Sequence, residues 1–273
     1  MGKAQISPYQ TFKAGSKTYF TSSLFFPPDV KADVFTLYAF VRTADNFVDQ
    51  VPQDSEGFAS FRGRYRKAAA GEATGDPAAD AFIELKNRKK FDPAWVEAFL
   101  DAMEADLSRR NYDTLEETLG YVYGSAEVIG LFMARLLDLP DESLGAARLL
   151  GRAMQYINFI RDIEEDITFG RRYLPLAGSG LPELSRDQAE AHPEAFGRFI
   201  EHHLALYEGW QREAEKGFAF IPRRYRVPIK TASDMYNWTA RKIRNDPLVV
   251  FSRKVKPEKP RIVFQAFANA IAG

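Results

Sequence analysis

The sequence predicts an all-α protein, and three observations carry that expectation. Apolar residues recur at three- and four-residue spacing through most of the 273 residues. No stretch shows period-two alternation bounded by hairpin turns, and no internal repeat or low-complexity tract interrupts the pattern. Two sets of acidic residues also fall four apart inside these patterns, a spacing that lines side chains along one face of a helix.

The stretch around which the chain is organised is QYINFIRDIEEDITFGRRYLP, residues 155–175. Gln155, Asn158, Asp162 and Asp166 lie three, four and four apart, so one helix would line them along one face. Far upstream, FVRTADNFVDQ carries Asp45 and Asp49 at the same spacing.

In chain order, 18–28 (TYFTSSLFFPP) mixes hydroxyls with aromatics and stops at a double proline. A helix is expected from about Asp29 through FVRTADNFVD. Its stripe of Val34, Tyr38, Val41, Asp45, Val48 and Asp49 continues an apolar face with carboxylates, so these should face inward and need cations, protons or hydrogen bonds there. Gly71 to Pro77 reads as a loop, since helical patterning resumes at AADAFIELKNRKK. Asp92-Pro93 starts the next helix, AWVEAFLDAMEADLSRR, with proline at its first position. Another begins near Leu115 and contains Gly124 and Gly130, each costing about 1 kcal/mol against alanine in a helix, which predicts close approach of a neighbouring helix or ligand.

After Pro140 a helix is expected from about Glu142 to Ile167, closed by Gly170, Arg171, Arg172 and Pro175. Leu176 to Pro182 is a loop. A long helix over Arg186 to Phe220 should end at Pro222, another should span Pro228 to Asn245, and a basic stretch, FSRKVKPEKPR, precedes a short terminal helix. The expectation is one domain over residues 1–273.

Composition narrows the function. Lysine plus arginine equals aspartate plus glutamate at 37 each, so no global field favours nucleic acid. The absence of cysteine removes disulfides, thiolate metal sites and cysteine nucleophiles. No apolar run approaches the ~18 residues of a bilayer span, and the N-terminal residues lack a signal-peptide core, so a soluble, cytoplasmic protein is expected. The 22 phenylalanines and 12 tyrosines suit a core, or equally an apolar ligand cavity.

His192, His202 and His203 lie in one short region, and none follows a glutamate by three residues, which disfavours a di-iron bundle and a zinc protease. Aspartate and asparagine oxygens favour a hard ion, magnesium or manganese. Magnesium usually bridges one or two carboxylates to a phosphorylated substrate, so a diphosphate is the natural partner. Arg42, Arg161, Arg171 and Arg172 stand beside the acids, where positive charge would stabilise a departing diphosphate. Taken alone, Asp45 and Asp49 describe an exposed acidic face equally well, and Tyr123 and Tyr236 describe core tyrosines. The set of Gln155, Asn158, Arg161, Asp162 and Asp166 points more firmly to a site.

With those residues in place, the chain resembles the squalene/phytoene synthase family, the head-to-head isoprenyl diphosphate synthases. SKTYFTSSLFFPP, LYAFVRTADNFVD, YVYGSAEVIGLFM, LGRAMQYINFIRDIEEDITFGRRYLP and IPRRYRVPIKTASDMY stand in the family's order. The combination of DxxxD with NxxRDxxxD is the specific part. The resemblance implies an isoprenoid-synthase helical bundle around a central cavity. It implies magnesium at Asp45, Asp49, Asp162 and Asp166, with Asn158 assisting. Lys17, Arg42, Arg161, Arg172 and Arg253 would hold diphosphate oxygens, Tyr123, Gln155, Tyr173 and Tyr236 would line the reacting region, and Ser16 would belong to a loop over the diphosphate.

The expected reaction joins two geranylgeranyl diphosphates into phytoene through a cyclopropylcarbinyl diphosphate. The alternatives are a C15 enzyme forming squalene, dehydrosqualene or hydroxysqualene, with NADPH needed only for squalene, and a catalytically silent scaffold relative. The chain departs from the family pattern at Asn46, where many members have an acid, and at Ser125, Ala126 and Glu127, where a Val-Ala-Gly run is common. A lipophilic product and the basic-aromatic segment from Val249 to Phe264 add an expectation of peripheral contact with the inner membrane. Oligomeric state stays open.

Overall fold

The computed structural model describes residues 23–24, 26–72 and 74–272. Among them regular structure is helical apart from one isolated bridge between Asn111 and Arg172. Twelve α-helices follow in order: α1 Pro28–Asp49, α2 Ser55–Ala69, α3 Pro77–Lys89, α4 Pro93–Ala105, α5 Leu115–Val122, α6 Val128–Leu136, α7 Leu144–Arg161, α8 Ile163–Thr168, α9 Arg186–Ala191, α10 Pro193–Glu215, α11 Arg223–Asn245 and α12 Lys259–Ala272. None is long and apolar enough to cross a membrane.

The helix starts follow local chemistry. The Asp54, Asp76 and Asp92 side chains accept from the first backbone N–H groups of α2, α3 and α4, and Thr114 with Glu117 forms a reciprocal capping box on α5. Two phenylalanine-rich contacts then fix α1. Phe40 stacks on Phe82 of α3 at 3.7 Å and meets Phe61 of α2 at 5.2 Å, and all three rings are fully buried. The C-terminal half of α7 is gripped similarly, with Phe159 stacked on Tyr173 at 4.4 Å and Tyr156 packed edge-on to Trp210 of α10.

Several sequence expectations are refined here. The single helix expected over 142–167 breaks at Asp162, where φ is −101° and ψ 16°. Arg161 donates two hydrogen bonds to the carboxylate of the very next residue, Asp162. Adjacent residues do not face one another on a regular helix, so this fork is compatible only with a local departure from it. The helix expected over 186–220 divides at Pro193, whose ring holds the preceding His192 at φ −129°, outside the helical region. It ends in a tight 3-10 turn over Lys216–Phe220. Helix α11 begins at Arg223, upstream of the expected Pro228, which sits inside it.

The helix expected from Leu115 also changes character, passing through a π-helical turn at Tyr123–Glu127 between α5 and α6. Such turns insert one extra residue and recur where a helix wall is shaped around a site. Both glycines there face backbone: a Cβ on Gly124 would lie 2.2 Å from the Ala98 carbonyl oxygen, and one on Gly130 would lie 2.1 Å from that of Ala147. Close approach of a neighbouring helix therefore explains them. Substituting Gly130 by alanine is expected to destabilise by about 1–3 kcal/mol, the range for overpacking. Gly145 of α7, with open space around it, should tolerate alanine. Urea denaturation of both variants checks this; equal midpoints would mean that α6 and α7 can part without strain.

Candidate active site

The two acidic pairs come together at one end of the bundle through a single residue. Arg171 follows α8, and its backbone N–H donates to the carbonyl of Asp166 at 2.8 Å. Its guanidinium runs the other way, donating to the Asp49 carboxylate at 3.1 Å, the Val48 carbonyl at 2.6 Å and the Asp106 carbonyl at 3.3 Å. The side chain is buried, so the C-terminus of α1 and the segment after α8 are tied by charge-assisted hydrogen bonds largely shielded from water.

Around this tie the acids are only partly withdrawn from water, with the Asp45 and Asp49 side chains 30% and 39% exposed. Burial, then the neighbouring Asp49 carboxylate, pushes the Asp45 carboxyl up to about 7, against the pull of Arg42, with which it forms an ion pair. Asp166 is likewise pushed well above the ordinary carboxylate range by burial and by Asp162 and Glu165. Asp162 is held by Arg161, and Lys254 reaches it from beyond α11 at 3.2 Å while also pairing with Glu165. A divalent cation beside Asp45 and Asp166 would favour their charged forms.

Asn158 adds an independent sign. Its Nδ2 donates to Gln155 Oε1 at 3.4 Å, whereas its Oδ1 is buried and has no hydrogen-bond partner. An orphaned buried carbonyl oxygen beside acidic groups fits a hard cation or the water bound to one. Among the described residues, no three carboxylates or imidazoles converge closely enough to hold an ion unaided.

Below the acids lies an apolar cavity of about 300 Å³. Tyr38, Gln155 and Asn158 are among its few polar lining groups, while Leu37, Ile129, Met133, Leu150 and Phe218 represent the rest. Gly130 and Gly151 also line it, so the glycine contacts that set the helix spacing also set the cavity wall. The Tyr38 hydroxyl is pushed up to about 12, mainly by burial, and senses Arg42, Asp45 and the buried Tyr236 of α11. The cavity is lined by Val41, Gln155 and Asn158 from the two helices that carry the acids, and an apolar chamber next to such groups could shield an allylic cation from water.

The other sequence-predicted residues fall as follows. Tyr173 is buried beneath the acids and donates to Asp106 at 2.8 Å, beside Tyr121, which donates to the other oxygen at 2.6 Å. Tyr123 lies under the Arg148 guanidinium at 5.3 Å, on the π-helical turn. The Arg172 guanidinium is occupied by the carbonyls of Tyr112 and Leu174 and by Asp113, so the arginine that links the acidic segments is its neighbour Arg171. Arg253 lines a basic groove alongside Lys254. Ser16 and Lys17 lie outside the described residues. The departure at Glu127 is accommodated: the buried carboxylate receives Arg148 and Arg152 of α7 at 2.8 and 2.7 Å.

Comparison with known proteins settles the lineage. The family model for squalene/phytoene synthase matches residues 12–261. The chain belongs to the squalene/phytoene synthase family. Members are divalent-metal-dependent prenyltransferases acting on prenyl diphosphates. The chain is 31% identical to the 15-cis-phytoene synthase of Enterobacter agglomerans, over 95% of this chain and 93% of that protein. It is 28% identical to the 15-cis-phytoene synthase of Pantoea ananas, over 96% and 90%. In fold it is similar to a dehydrosqualene synthase solved in complex with ligand, with a TM-score of 0.85, 22% identity, and coverage of 97% and 94%.

Proposed function

We propose that this chain joins two geranylgeranyl diphosphates head to head into phytoene, releasing both diphosphates. The observation that carries the reading is that two acidic pairs, linked through Arg171, stand beside an apolar cavity whose polar lining includes Gln155 and Asn158. The phytoene synthases similar to it over most of the chain supply the C20 substrate.

In this reading Asp45, Asp49, Asp162 and Asp166 hold magnesium, or manganese in its place, and Asn158 assists through its unpartnered Oδ1. Bound magnesium would neutralise charge developing on the departing diphosphate. Arg42, Arg161 and Lys254, already paired with the carboxylates, supply cationic donors for diphosphate oxygens, and the resemblance adds Lys17, Arg172 and Arg253 to that set. By the resemblance, Ser16 would belong to a loop over that diphosphate. Tyr38 and Gln155, which line the cavity, border the reacting carbons; the resemblance adds Tyr123, Tyr173 and Tyr236 to the reacting region, and the apolar wall would exclude water from the cations formed at each ionisation.

Product analysis by mass spectrometry tests this. Purified protein receives magnesium with farnesyl or geranylgeranyl diphosphate, each with and without NADPH. A C40 hydrocarbon formed from the C20 substrate, independent of NADPH, is the expected result. A C30 product would transfer the function to the squalene, dehydrosqualene or hydroxysqualene branch, and no product under any condition would favour a silent scaffold.

A further inference from the structure

The apolar cavity has a definite length, which α7 measures. Ser143, Ala146, Leu150, Met154, Gln155 and Asn158 all line it, a stripe along one face that runs from the residue before the helix almost to its end. Asn158 and Ser143 stand fifteen residues apart, about 22 Å of helix rise. Helix α6 runs antiparallel beside α7, with Gly151 against the Ala126 carbonyl and Gly130 against that of Ala147. The C-terminal end of α6 therefore arrives at the N-terminal end of α7, away from the acids.

At that far end Leu137, Leu139 and Ser143 line the cavity and are buried. The 3-10 turn Lys216–Phe220 crosses the start of α7 and contributes Gly217 and Phe218 to the same wall. A Cβ on Gly217 would lie 2.3 Å from the Cβ of Ala146. Turn and helix are thus already in contact at this point. A side chain longer than alanine at 146 has no room on the side of the turn and must enter the cavity.

We propose that Ala146, backed by Gly217, sets the length of prenyl chain that this protein accepts, with Leu139 as the stop beyond it. The assignment rests on the reading above, in which the diphosphate sits at the acids and the tail enters the cavity. An extended geranylgeranyl chain advances about 19 Å from its first to its last main-chain carbon, and a farnesyl chain about 14 Å, at ~1.25 Å for each ~1.5 Å carbon–carbon bond. Counted from the level between Asn158 and Gln155, the longer chain ends roughly thirteen residues back along α7, near Ser143, and the shorter about nine, near Ala147. Ala146 therefore stands beside the last isoprene unit of a C20 chain and past the end of a C15 chain. Alanine leaves that space open, and the shorter chain would leave it empty, forfeiting the contacts of its apolar lining. One further unit, in a C25 chain, would meet the closed end at Leu139.

Prenyl thiolodiphosphates, in which sulfur replaces the oxygen on the first carbon and ionisation is suppressed, test this apart from turnover. With magnesium present, calorimetry on the wild type is expected to give the C20 analogue an affinity at least ~10-fold above that of the C15 analogue. Ala146→Leu should reverse that order, with a thermal melt showing that the protein is folded. Leu139→Ala works in the opposite sense and does not depend on a larger side chain being accommodated. It should bind the C25 analogue at least ~10-fold more tightly than the wild type does. Equal affinities for C15 and C20 in the wild type overturn the proposal. So does a folded Ala146→Leu that keeps the wild-type order, or a Leu139→Ala that gains nothing on C25. A wild type that ranks the analogues as expected yet forms no C40 hydrocarbon supports the length assignment and counts against the phytoene reading alone.

Discussion

Asp162→Asn is expected to lower turnover by about 10³-fold, the upper end of what one removed electrostatic stabiliser costs at a reacting centre. The substitution keeps the side-chain shape and removes the negative charge that two cations now share, Arg161 through a two-pronged hydrogen bond and Lys254 at 3.2 Å. It should also raise the magnesium concentration needed for half-maximal rate, a shift that a purely structural defect would not produce. Glu165 supplies the control. It lies three residues on, pairs with the same lysine and is half exposed, so Glu165→Gln removes an equal charge from the same neighbourhood. If the general negative field mattered, the two variants would fall together; if Asp162 is a specific ligand, Glu165→Gln should stay within about threefold of wild type. Turnover of Asp162→Asn close to wild type, measured as released diphosphate, would remove Asp162 from the proposed metal site.

The pairing of Asp162 with Asp166, and of Asp45 with Asp49, was legible in the sequence, because a four-residue spacing puts two acids on one helix face. The helical class, the glycines at 124 and 130 and the candidate acids all follow from such local rules. The break at Asp162 did not, since it reflects a two-pronged contact with an adjacent residue that helix periodicity does not describe. Lys254 was also out of reach. Nothing within the basic stretch distinguishes it from its neighbours, and only the packing of the turn after α11 against α8 brings it to Asp162. The π-helical turn at Tyr123–Glu127 reads as ordinary helix in any pattern of apolar residues. The partners of Glu127 lie about one and two turns along another helix, so its burial as an ion pair becomes visible only when α6 and α7 are docked. The assignment of the two adjacent arginines at 171 and 172 is a further case, because a shared position in the sequence says nothing about which way each one turns.

Arg171→Met should be the most destabilising single change at the site. The guanidinium is buried and gives hydrogen bonds to Val48, Asp49 and Asp106, all from segments that approach only in the folded chain. Methionine fills similar space but removes one of the two donors of the Val48 and Asp106 carbonyls, which Gln53 Nε2 also serves at 2.7 and 2.9 Å, and leaves the Asp49 and Asp106 carboxylates without their nearby cation, a class of change that costs about 3–5 kcal/mol. The Asp106 carboxyl already stands at about 6, raised by burial against the stabilising Tyr121 and Tyr173 hydroxyls and Arg171. Because that value lies above 3.8, the folded state binds the proton more tightly than the unfolded chain. The wild type therefore loses stability as pH rises from about 4 to 6, and the loss is complete above that. Without Arg171 the folded-state value rises further and the loss continues to higher pH. The deficit of Arg171→Met should accordingly be smaller at pH 5, where only the lost hydrogen bonds count, and larger at pH 8, where the uncompensated charge is added. Urea denaturation at the two pH values separates these contributions. A deficit below ~1 kcal/mol at both would mean that α1 and the segment after α8 are held together by the aromatic packing around Phe159 and Tyr173, with the arginine a bystander.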